Sequence, residues 1–183
     1  MGEETPKARK PRADQARNRE RLLAAAREIF RVDGATLDLV AKKAGLGIGT
    51  LYRHFPTREA LYQAVYVREV EELVRLASQL DADGLGLWMD AALQMMATKK
   101  GMIAALAPVI DPNAPFYSEQ SGRIRTAVAN LHHRAVAAGT VRPDVTPEDL
   151  IRVLLGLSYG PGVDPARTGL LLKVFLDGLA PRC

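Results

Sequence analysis

Glycine and proline cut this chain into segments whose apolar residues recur every three or four positions. No useful run alternates apolar with polar residues. That pattern admits helices and excludes a sheet-based fold, so it predicts an all-α chain of about nine helices. The first begins at Asp14, carries Leu22, Ala26, Ile29 and Phe30 on one face, and stops at Gly34. Thr36 reads as the N-cap of a second helix, which Gly45 closes. A third covers about Gly47 to Phe55, and Pro56 ends it because the residue before proline avoids the α region. Thr57 caps a fourth that runs toward Leu80. After Gly84 and Gly86 a fifth helix runs to a break at Gly101. A short apolar piece, Met102 to Ile110, contains Pro108, and Asp111 to Pro115 reads as a loop. A helix from about Phe116 to Ala138 follows, stopped by Gly139. Thr146-Pro147-Glu148-Asp149 opens another, with cap, proline and acids in order. Ser158 to Val163 is a turn, and Asp164-Pro165 opens a last helix ending near Leu179.

Composition narrows the chemistry. The single cysteine, Cys183, excludes a disulfide framework and a Cys-rich metal cluster. His54, His132 and His133 are the three histidines, and the adjacent pair points to different helix faces. No metal and no cofactor are expected. No nucleophile–base motif, Gly-rich phosphate loop or paired-acid constellation is present, so no catalytic residues are assigned and an enzyme is not expected. No apolar run reaches the ~20 residues that span a bilayer. The charged start lacks the apolar core of a signal peptide, so a soluble cytoplasmic protein is expected.

The net charge of +4 is unevenly placed. Residues 1–66 hold 13 Lys and Arg against 8 Asp and Glu; residues 67–183 hold 12 against 13. A basic head on a near-neutral body suits a polyanion partner. Within the head, residues 1–13 read as a disordered basic arm. Its Lys7, Arg9, Lys10 and Arg12 either enter a minor groove or float as a solubilising tail. The expected organisation is therefore an arm at 1–13, a DNA-binding head at 14–60 and a helical body at 61–183.

The stretch Thr36 to Arg58, TLDLVAKKAGLGIGTLYRHFPTR, has two helices joined by a short glycine-containing turn. That is the layout of a helix-turn-helix. Ala41 lies where the helices cross too closely for a large side chain. Gly45 takes the turn, where positive φ is expected, and Leu51 packs into the gap beside Val40 and Leu46. An ordinary helical hairpin is the alternative.

GIGTLYRHFPTREAL resembles the recognition helix and the start of the next helix in TetR-family transcriptional regulators, and the likeness extends from about Arg19 to Val65. The resemblance implies a homodimer that binds a double-stranded DNA operator and represses transcription until a small molecule relieves it. Thr36 would then face a phosphate. Gly49 and its small neighbours let the backbone approach the groove. Thr50 and Arg53 would read bases, with Ile48 against a thymine methyl. Tyr52 and His54 match the family's LY-x-HF positions and would contact phosphates, although a tyrosine there also serves as half-buried support. Arg58 opposes the helix dipole in the fourth helix's first turn, and a phosphate contact accounts for it. Two departures are visible: Gly47 and Ile48 replace the Ser, Lys or Gln common in this turn, and Leu39 stands where an acid is common.

In the body, the last two helices (about 147–158 and 165–179) are apolar on more than one face. Each needs more than one partner, which suggests a two-fold four-helix bundle with a second copy. An unidentified effector would find an apolar cavity lined by Trp88, Met95, Met96, Met102, Phe116, Leu131 and Tyr159; plain core is the competing assignment. An all-helical adaptor whose head engages protein instead of DNA is the rival function.

Overall fold

A computed structural model describes residues 10–31, 34–106, 114–160 and 164–181. Among these there are eight α-helices and no strand. They are α1 (Lys10–Ile29), α2 (Leu37–Lys43), α3 (Ile48–His54), α4 (Arg58–Gln79), α5 (Leu85–Leu106), α6 (Pro115–Ala137), α7 (Pro147–Tyr159) and α8 (Pro165–Asp177). The chain divides into two compact units, residues 1–65 with 98–110, and residues 66–97 with 111–183.

Two boundaries differ from the periodicity reading. The helix α1 starts at Lys10, so residues 10–13 are helical and not part of an arm. Pro11 permits this, because a first-turn residue has no intrahelical N–H bond to lose. Lys7 and Arg9 lie outside the described residues, as do Pro108, Asp111 to Asn113 and residues 161–163. Gly101 does not break α5, which continues to Leu106 and absorbs the start of the expected apolar piece. A Cβ on Gly101 would collide with the Phe30 carbonyl oxygen. The glycine is there for a helix–backbone contact. Composition alone cannot separate that role from a helix stop.

The first unit is centred on Leu22, Ala26, Phe30, Val40, Leu51, Leu61 and Met102, each buried. Arg31 Nε donates to Thr98 Oγ1 at 2.8 Å, which ties the end of α1 to α5 beside Gly101. The second unit is centred on Val70, Trp88, Met89, Val128, Leu131, Leu150, Leu154 and Leu172. Trp88 Nε1 donates to the Leu73 carbonyl at 3.0 Å, so its one polar atom is satisfied inside the core. A full capping box opens α7: Thr146 Oγ1 accepts from the Asp149 N–H, and the Asp149 carboxylate accepts from the Thr146 N–H. No helix among the described residues is long and apolar enough to cross a membrane.

Candidate nucleic-acid interface

The turn between α2 and α3 is built as its residues require. Thr36 Oγ1 caps α2 by accepting from the Leu39 N–H at 3.3 Å. At the other end the Leu46 N–H reaches the Ala41 carbonyl and the Gly45 N–H reaches Lys42, a Schellman closure. Gly45 has φ +63°, and a Cβ there would also lie 2.7 Å from Arg21 Nη2. The positive φ disfavours any side chain, whereas the Arg21 tip could swing aside. Val40, Ala41 and Leu51 are buried as the helix-turn-helix packing demands.

Burial of Leu51 and Phe55 on one side of α3 turns its other side outward. Ile48 and Tyr52 are exposed large residues, 37% and 43%, and Gly49 and Arg53 are exposed too. Thr50 and His54 are half-buried. Arg53 Nη2 donates to Thr50 Oγ1 at 2.8 Å, so the two base-reading candidates form one unit. Arg58 is exposed in the first turn of α4, beside the Thr57 cap, whose Oγ1 accepts from the Ala60 N–H.

α1 buttresses this surface. The Arg19 guanidinium lies 5.2 Å from the centroid of the Phe55 ring, and Glu28 pairs with Lys43 of α2 at 2.8 Å. The Lys43 ammonium holds the Glu28 carboxyl below its ordinary value, first by hydrogen bond and then by charge. A groove of about 660 Å³ runs between α1 and α3, with Asp14, Gln15 and Asn18 on one wall and Thr50, Arg53 and His54 on the other. The α1 residues were missed from sequence. Their i, i+1, i+4 spacing marks a polar face, but nothing in it says which helix that face meets.

The seven effector candidates are dispersed. Met102 belongs to the first unit and the other six to the second. Trp88, Met95, Met102 and Leu131 are buried, Met96 and Phe116 half-buried, and Tyr159 is 43% exposed. Met96 Sδ accepts from Ser158 Oγ at 3.1 Å, and the Phe116 ring stacks near Tyr66 and Tyr117. None of the seven lines the cleft of about 500 Å³ that opens between α4 and α6. That cleft is walled by Val74, Ala77 and Ser78 from one helix and by Gly122, Arg123, Thr126, Ala127, Asn130 and Arg134 from the other. No group of three or more His, Cys, Asp or Glu among the described residues is placed to hold a metal.

Comparison with known proteins agrees with this geometry. The family "Bacterial regulatory proteins, tetR family" matches residues 22–65, and "Transcriptional regulator SbtR-like, C-terminal domain" matches residues 82–181. The HTH-type transcriptional regulator UidR of Escherichia coli K12 is 29% identical over 153 residues, 78% of each chain. The HTH-type transcriptional repressor Rv1474c of Mycobacterium tuberculosis is 28% identical over 173 residues, covering 87% of this chain and 91% of its own. Among solved structures, the TetR transcriptional regulator SCO0520 from Streptomyces coelicolor superposes with TM-score 0.76 at 35% identity, over 90% of this chain and 99% of that one.

Proposed function

The chain belongs to the TetR family of DNA-binding transcriptional regulators, and on that premise we propose that it is a homodimeric repressor, paired through α7 and α8, that a small-molecule effector releases from its operator. The observation that carries the DNA contacts is the outer face of α3. It presents Ile48, Gly49, Thr50, Tyr52 and Arg53 on a helix that Gly45 and Leu51 hold in place. Arg53, steadied by Thr50, reads base edges in the major groove; Ile48 meets a thymine methyl. Tyr52, His54, Arg58 and the Thr36 hydroxyl contact phosphates and set the register.

The pairing rests on apolar surface that the single chain leaves uncovered. Leu155 and Tyr159 of α7, and Leu170, Leu171 and Val174 of α8, are 43–60% exposed. A two-fold bundle of these helices buries them and sets two recognition helices about 34–36 Å apart, or somewhat more. The effector acts through differential affinity: it shifts the equilibrium only as far as it prefers the DNA-incompetent state.

Selection of bound sequences from random duplex DNA tests the reading. A palindromic site with two half-sites is expected, together with a log K that falls linearly with log salt. No enrichment and no salt dependence would sink it in favour of a protein-binding adaptor.

A further inference from the structure

We propose that the cleft between α4 and α6 binds a small organic anion with an apolar body, an assignment that rests on the effector-release reading above only for its regulatory consequence. The cleft holds about 500 Å³, within the range of small-molecule sites. Val74, Ala77 and Ala127 give it apolar lining, and Arg123 and Arg134 bring two guanidinium groups to it. Among the described residues no carboxylate lines it.

Both arginines are held in place by neutral acceptors. Arg134 Nη2 donates to the Ala77 and Leu80 carbonyls at 2.5 and 3.3 Å, across the end of α4. Arg123 Nη1 donates to Oε1 of the buried Gln120 at 2.9 Å. Among the described residues neither has a carboxylate partner; Arg134 is pinned by main-chain carbonyls, including that of Asn130, and Arg123, held by one amide oxygen, is the less engaged of the two. Preorganised cations beside apolar wall suit an acidic head group, carboxylate or phosphate, on a hydrocarbon body.

Gly122 supplies an independent observation. It lies in the middle of α6, where glycine is a poorer helix former than alanine. A Cβ there would meet nothing within 4 Å, so packing in this chain does not demand the glycine. Gly122 lines the cleft.

The chain reports on its own cleft. Trp88, the one tryptophan, is bonded to the carbonyl of Leu73, the residue before Val74. The test titrates the full-length protein, without DNA, with 4-phenylbutyrate and octanoate, and with the neutral amide and the amine of each. Trp88 fluorescence and calorimetry give affinity; circular dichroism gives folding. Saturable binding of at least one acid is expected, at least tenfold tighter than its amide and amine. Arg123→Gln should lower acid affinity at least tenfold with helicity retained, and Gly122→Phe should abolish binding while α6 stays helical. Equal binding of acid, amide and amine, undiminished binding by Arg123→Gln, or no binding of either acid at millimolar concentration overturns the proposal. The two readings fail separately. An operator complex that survives saturating acid overturns effector release and leaves the site standing.

Discussion

The outer faces of α3 and of α7 with α8 are both surfaces that one chain leaves uncovered, yet they are built oppositely. α3 mixes a glycine, a hydroxyl, a phenol and a guanidinium on a helix of seven residues. α7 and α8 show leucine and valine on helices of thirteen residues each. Polar groups on α3 trade water for phosphate and base edges with little penalty when no DNA is present. The exposed leucines have no such neutral state: they are covered by like chemistry or they stand against water. A surface used intermittently is therefore polar and short, and one used continuously is apolar and long.

The sharpest way to break this contrast is within the first unit. Gly101→Ala drives a methyl into the Phe30 carbonyl. A loss of about 3 kcal/mol or more is expected by urea unfolding, since backbone must move. A loss below about 0.5 kcal/mol would mean that α5 approaches α1 less closely than described. Next comes the apolar face. Leu171→Glu with Val174→Glu should convert dimer to monomer in light scattering. Operator affinity should fall by on the order of a hundredfold as bivalent binding is lost. A dimer that persists moves the interface elsewhere.

The α3 predictions are smaller. Arg53→Ala should cost about 1–3 kcal/mol of discrimination at one base pair per half-site. Thr50→Ala should reproduce part of that loss, and the double variant should lose less than the sum, because the two share a hydrogen bond. Additive losses would separate them. Arg58→Ala should weaken all sequences alike and reduce the salt slope by about 1 per protomer; a sequence-dependent loss would make Arg58 a base reader.

Acid gives the smallest effects and still separates the units. Lys43 depresses the Glu28 carboxyl from 4.5, and the Thr146 hydroxyl and N–H depress the Asp149 carboxyl from 3.8. Each contribution to stability is fully present above those ordinary values and is lost as pH falls through the lower folded ones. Glu28→Gln and Asp149→Asn, melted from pH 6 to pH 3, should each remove part of the acid sensitivity. High salt should weaken the Glu28 share, an exposed ion pair, more than the Asp149 share, in which the Thr146 cap hydrogen bonds outweigh the ion pair with Arg152. Equal salt response in both would refute the distinction.

What was legible in the sequence follows from how local each cause is. Gly45, Thr36 and Thr146 act within a turn of their own position, and each is where its residue type predicts. Gly101 acts on a carbonyl seventy-one residues earlier in the chain, so its role was read as a break. The partner of the polar α1 face is equally distant. The large Met and aromatic residues chosen as effector contacts fill the core or stand at its edge. The proposed α4–α6 cleft is lined mainly by small residues and two arginines, which carry little signature until α4 and α6 are side by side.

The bond between Arg53 and Thr50 bears on how such a regulator changes allegiance to its DNA. If Arg53 reads a base as proposed, a new residue at position 53 loses the hydroxyl that steadied the old one, and a new residue at position 50 frees an arginine that keeps its former preference. Single substitutions at either place weaken the old site before they create a new one. A change of operator preference through this face is therefore expected to need both positions, 50 and 53, to change together.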